Sequence, residues 1–182
     1  MKKTIIVILV FVSLKCFCQE TSYLKKSVNT VQIGTVGLWV NNETKIDKAL
    51  ALRTEIGLFS EIFQEVGYYI APEISLEPRF YYNIEKRAKN KRDINNNAAN
   101  FFTIKLNYRS NLFEVSNFRS KTADVSYAII PKWGIRRNLG SKFNYELGVG
   151  LGYFEFLQTR NNVSSFDEGL HFELHMRIGL NL

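Results

Sequence analysis

Few residues in this chain have the types and spacing to do chemistry. His171 and His175 stand four apart with Glu173 between them, and on a helix that spacing would bring two imidazoles to one metal ion. On a strand it separates them by about 13 Å, at roughly 3.3 Å per residue. One ion cannot bridge that, and two histidines in a polar network is the plainer reading. Ser75 and Ser126 have carboxylates near them in the pattern, but no His and Ser signature of a deacylase goes with them. Gly148, Gly150 and Gly152 fall inside a regular segment rather than between a strand and a helix, so they do not form a phosphate cradle. The run Lys86, Arg87, Lys89, Lys91 and Arg92 has the charge to meet an anionic partner such as lipid headgroups or a cell-wall polymer, against the plainer alternative of a solvated basic loop. These residues predict no catalytic, cofactor or metal site, and the expectation is that the chain is not an enzyme.

The elements that must position these side chains follow from polarity. From Val31 onward the chain repeats segments of alternating polarity separated by turn-rich polar stretches, and period two means strand because successive side chains leave a strand on opposite faces. In 74–82 the residues Ile74, Leu76, Pro78, Phe80 and Tyr82 oppose Glu73, Ser75, Glu77, Arg79 and Tyr81. The stretches 49–59, 102–109, 123–135, 143–153 and 170–182 behave alike, and 31–40 is a strand by composition, with an ambiguous outward face because of Gly34 and Gly37. That makes seven strands. Single-chain bacterial barrels carry an even number, eight being the smallest, so an eighth strand is expected in 21–29 or 62–70. Residues 138–141 read as a tight hairpin turn. Residues 60–68, 110–122 and 157–169 read as long polar connections at one end, and the basic 85–97 at the other.

One face of each strand is apolar and aromatic, and the other carries long charged side chains. Arg53, Arg79, Lys105, Arg109, Lys132, Arg136 and Arg177 share the polar faces with Glu55, Glu73, Glu77, Asp124, Glu146 and Glu173. Such a near balance suits a narrow polar lumen, since removing one partner of a buried ion pair costs about 3–5 kcal/mol. The expectation is therefore that the charges point inward as an ion-pair network and the apolar faces outward to lipid. Gly148, Gly150 and Gly152 would make room for long side chains arriving across the barrel, and Trp39, Phe80, Tyr82, Tyr108, Trp133, Tyr145 and Tyr153 would form interfacial girdles.

The chain opens with Lys2 and Lys3, an apolar stretch at 5–12 and Cys16-Phe17-Cys18 before Gln19. That pattern predicts a signal peptide over 1–18 and a mature barrel domain over 19–182. The apolar stretch falls short of the about 20 residues a membrane helix needs. The formal charge of +7 falls to +4 when Lys2, Lys3 and Lys15 leave with the leader, too modest an excess to argue for nucleic acid.

This combination of leader, size, alternating strands with aromatic flanks and an alternating C-terminal strand resembles the small outer-membrane β-barrels of Gram-negative envelopes, the OmpA-barrel and OmpX-like group. The stretches 77–87 (EPRFYYNIEKR) and 131–140 (PKWGIRRNLG) resemble uncharacterised members. The resemblance implies an all-β, antiparallel, up-and-down transmembrane barrel of eight strands, located in the outer membrane, inserted by the barrel-assembly machinery and acting through its external loops. A small channel or carrier, and a soluble lipocalin-like binding barrel with its aromatic faces inside, are the alternatives.

Overall fold

The computed structural model describes residues 22–63, 67–110, 112–113, 115–116, 125–158 and 169–182. Residues 1–18, where a leader is expected, and Asp124 lie outside the described residues, as does most of 110–122 and 157–169. The fold is an all-β, up-and-down closed barrel of eight antiparallel strands. In chain order the strands are β1 (Ser27–Gly34), β2 (Gly37–Lys45), β3 (Leu50–Phe63), β4 (Gly67–Phe80), β5 (Asn100–Arg109), β7 (Val125–Leu139), β8 (Phe143–Gln158) and β9 (Gly169–Asn181). A two-residue piece, β6 (Val115–Ser116), adds to the edge of β4 outside the circuit. Closure runs through β1 and β9, where Thr30 opposes Asn181 and Gly34 opposes Arg177.

The eighth strand overlaps an expected place only at its start, because β1 (Ser27–Gly34) takes the last three residues of 21–29. Residues 31–40 are not one strand but the β1–β2 hairpin, in which Gly34 opposes Gly37 across the turn at Thr35 and Val36. Gly37 has φ +148, a conformation that costs glycine little. Residues 60–68 are not a long polar loop either, because β3 and β4 stay paired from Leu50 opposite Phe80 to Phe63 opposite Gly67. Backbone pairing there continues past the clear alternation, since ladder hydrogen bonds do not require an apolar face. The tight turn expected near 138–141 is present: Leu139 opposes Phe143, and Gly140 takes φ +69.

Both described termini, together with the β2–β3, β4–β5 and β7–β8 connections, lie at one end of the barrel, the terminus-bearing end. The other four connections lie at the opposite end. The basic β4–β5 connection is not a plain loop. It folds into helix α1 (Ile84–Lys89) and a 3-10 turn at Asn95–Asn97. Ile84 turns inward and joins Leu24, Ala51, Tyr81, Ala99 and Phe101 in an apolar cluster that plugs this end.

Inside and outside are reversed relative to a soluble domain. Arg53, Arg79 and Arg136 are fully buried at 0%, whereas Ile33, Ile104, Phe172, Leu174 and Ile178 are exposed by half or more. Alternation along β7 makes the rule visible: Ile130, Lys132, Gly134 and Arg136 are buried, while Ile129, Pro131 and Trp133 are exposed.

Candidate functional site

The charged faces converge on a network that crosses the lumen, with Glu146 of β8 at its hub. Its carboxylate takes Arg53 Nη1 at 2.8 Å from β3, Arg79 Nη2 at 3.1 Å from β4 and Arg136 Nε at 3.0 Å from β7. His175 Nε2 of β9 lies 3.2 Å from it. β3 and β8 sit on opposite sides of an eight-strand circuit, so Arg53 and Glu146 span the barrel. Three guanidiniums on one carboxylate would leave cationic excess, and neighbouring glutamates absorb it. Glu55 pairs with Arg53 and with Arg177 Nη1, both at 2.6 Å, and Glu77 pairs with Arg79 at 2.8 Å and Lys132 Nζ at 3.2 Å. Glu173 receives Lys132 at 3.1 Å and Lys105 at 3.3 Å. Arg109 is the most loosely held, 4.0 Å from Glu73, with its guanidinium stacked 3.5 Å over the Phe59 ring.

All eleven residues named from sequence for this network, Arg53, Glu55, Glu77, Arg79, Lys105, Arg109, Lys132, Arg136, Glu146, Glu173 and Arg177, therefore lie on the inner wall in contact with an opposite charge. Aromatic and charge stacking adds to it, with Arg79 4.1 Å over Phe101 and Arg177 3.6 Å over Trp39.

Sequence reasoning missed Glu43, a buried partner of Arg136 at 3.4 Å and Arg79 at 3.5 Å, whose carboxylate also accepts from the Tyr81 hydroxyl at 2.9 Å. Trp39 was expected in an outer girdle, and this is corrected: its side chain is buried, and Nε1 donates to Glu73 Oε1 at 2.6 Å. Both errors have one cause. A continuous strand over 31–40 puts Trp39 on the face of Val31 and Ile33, but the two-residue turn inverts the phase, sending Trp39, Asn41 and Glu43 inward. The detectable signal was the Gly34 and Gly37 pair with two residues between them. Around Trp39 those glycines and Gly57 leave room for the indole, since a Cβ on Gly57 would lie 2.1 Å from its Cδ1.

Gly148, Gly150 and Gly152 serve a different purpose from the one expected. A Cβ on Gly152 would lie 2.2 Å from the Ile129 carbonyl oxygen, and one on Gly148 2.8 Å from that of Trp133. Their missing side chains admit the adjacent β7 backbone rather than long cations from across the barrel.

The other chemistry-bearing residues do not assemble a reaction centre. His175 is buried in the network while His171 is exposed near the opposite mouth. Ser75 donates to Glu55 at 3.2 Å. Among the described residues no three His, Cys, Asp or Glu side chains group as a metal site. Of the basic run, Lys86, Lys89, Lys91 and Arg92 are exposed on α1 and the turn after it, and Arg87 is half-buried. Comparison of the chain with protein-family models, curated proteins and solved structures finds no match to any of them.

Proposed function

We propose that this chain is an outer-membrane β-barrel whose lumen is filled by its own side chains, and that its role is structural or one of surface interaction through the loops opposite the termini. The observation that carries the reading is the reversed polarity: charged residues are buried in pairs, and an apolar band runs over all eight strands. Soluble monomers rarely expose a contiguous apolar patch above a few hundred Å², whereas a bilayer rewards such a band and requires every backbone group to be paired, as a closed barrel achieves. Aromatics at both edges of the band agree with interfacial belts. Phe80, Tyr82, Phe102 and Phe143 are exposed near the terminus-bearing end, and Tyr68, Tyr108 and Tyr153 near the other. A soluble lipocalin-like barrel would need these faces inside.

Ion pairs between opposite walls, Arg53 with Glu146 and Arg136 with Glu43, favour a filled interior over a channel or carrier, and an eight-strand interior is too narrow for an aqueous channel. The leader pattern expected from sequence over 1–18 supports export, with insertion by the barrel-assembly machinery. Membrane fractionation with heat-modifiable gel mobility tests the location and the closed barrel together. Recovery in the aqueous fraction without detergent would refute the membrane reading. Planar-bilayer recordings should give no stable unitary conductance, and a reproducible open channel would refute the filled lumen.

A further inference from the structure

Beyond the lumen, an unused set of cations collects on the outer wall at the terminus-bearing end. Arg137 lies on the outward face of β7, between the Trp133 girdle position and the turn, and opposes Tyr145 of β8. Its Nη2 donates to Asn100 Oδ1 and its Nη1 to the Arg136 carbonyl, both at 2.6 Å, which leaves Nε and one hydrogen on each Nη for a further acceptor. Asn100 Nδ2 in turn donates to the Tyr82 hydroxyl at 3.0 Å, which also accepts from Trp133 Nε1 at 3.0 Å. On the membrane reading above, these hydrogen bonds hold the guanidinium at the height where headgroups meet acyl chains. Arg87 and Arg92 arrive beside it from α1 and the turn after it: Arg87 Nη2 donates to the Asp93 carbonyl at 2.8 Å, and the Asp93 carboxylate accepts at 2.7 Å from Asn138, the residue next to Arg137.

The cations of this connection, Lys86, Arg87, Lys89, Lys91 and Arg92, outnumber its two acids, Glu85 and Asp93. Asp93 is already engaged, its Oδ2 accepting from Asn138 Nδ2 at 2.7 Å and its Oδ1 from the Asn95 backbone at 2.9 Å. Glu85 pairs with Lys89 at 2.6 Å. Arg87 gives Nη2 to the Asp93 carbonyl at 2.8 Å, while its buried Nε has no hydrogen-bond partner. Burial and the adjacent Arg92 push the Arg87 guanidinium below its ordinary value.

We propose that Arg87, Arg92 and Arg137 hold the phosphate of an anionic phospholipid at this edge of the barrel, with its acyl chains lying along the exposed side chains of Trp133 and Leu147. Guanidinium forks match phosphate oxygens in pairs. A net-negative headgroup offsets three converging cations better than a zwitterionic one, and the exposed apolar wall immediately alongside distinguishes a lipid from a free phosphate or a soluble polymer. The inference rests on the membrane reading above and gives it a specific lipid partner.

The test uses the mature chain folded in an uncharged detergent, titrated with phosphatidylglycerol or phosphatidylcholine and followed by native mass spectrometry. Phosphatidylglycerol should bind at least about tenfold more tightly, the equivalent of roughly 1.4 kcal/mol. The triple variant Arg87→Gln, Arg92→Gln, Arg137→Gln should lose that preference, and Lys26→Gln with Lys45→Gln, on the same end, should keep it. Heat-modifiable mobility of each sample reports the barrel separately. A folded barrel that binds the two lipids equally, or a folded triple variant that keeps its preference, overturns this inference and leaves the membrane reading standing. A wild-type chain that never becomes heat-modifiable overturns both. Should the triple variant not fold, raising salt on the wild type from about 50 to 500 mM decides the matter, because exposed charge pairing is screened over that range: a preference that weakens supports the site, and one that persists unchanged overturns it.

Discussion

At the scale of single residues, Glu146 has the most at stake. It is fully buried and answers three arginines from three different strands. Replacing Glu146 by Gln keeps the shape and removes the charge, leaving Arg53, Arg79 and Arg136 sharing Glu43, Glu55 and Glu77. Losing one partner of a buried pair costs about 3–5 kcal/mol, so urea unfolding from micelles should report a loss of that order, partly recovered when Arg53→Met is added. A change below about 0.5 kcal/mol would mean that water, not Glu146, compensates the arginines. Asp93 provides a pH-dependent counterpart outside the barrel wall. Burial acts to raise its carboxyl, but hydrogen bonds from Asn138 and Asn95, with Arg87 nearby, prevail and hold it below its ordinary value. A depressed folded value means the carboxylate contributes stability above the unfolded value of about 3.9 and loses it as pH falls through the folded one. Protection of the 93–97 amides, relative to an unstructured chain at the same pH, should therefore fall below about pH 4, and Asp93→Asn should remove that acid dependence. Equal acid response in both proteins would exclude Asp93 as its source.

Between elements, β7 and β8 fit closely. Gly152 has the Ile129 carbonyl where a methyl would go, so Gly152→Ala must push two paired strands apart. Overpacking of this kind costs about 1–3 kcal/mol. Gly140 in the β7–β8 turn has open space around it, and there Ala should cost only what its positive φ imposes, about 1–2 kcal/mol. Thermal midpoints of the two variants separate these causes, because reverting Gly140 to Asn, which tolerates that conformation, should recover stability at the turn, whereas no residue larger than glycine should serve at 152. The helical cap is a further element whose place is set by packing: Ile84 anchors α1 against Tyr81 and Phe101, leaving its cations at the surface.

For the whole molecule, the decisive contrast is between solvents on the two sides of one sheet. Ile104 is half exposed near the middle of β5. If water surrounds the barrel, Ile104→Arg changes stability by no more than about 0.5 kcal/mol. In a bilayer, arginine at that depth costs about 2–4 kcal/mol. Unfolding measured from phospholipid vesicles should give the larger figure, and the smaller one would argue against a lipid-facing wall.

Alternation was legible from residues alone wherever a strand ran unbroken, because period two assigns every side chain to a face without reference to its partners. Arg79 with Glu77 on β4, and Lys132 with Arg136 on β7, could be grouped on that basis, and near-equal numbers of cations and anions implied that they meet. Phase across a turn was not legible. Thr35 and Val36 carry no strong turn chemistry, and the flanking Gly34 and Gly37 are a weak signal, so it is the paired hairpin that settles that Trp39 and Glu43 belong inside. Tertiary structure alone decided which carboxylate answers which arginine, since strands that face each other across a closed barrel are far apart in the chain: Arg53 and Glu146 are 93 residues apart. It alone decided, too, that a basic connection becomes a cap, because Ile84 finds its apolar neighbours only once Leu24, Ala99 and Phe101 have been brought to the same end.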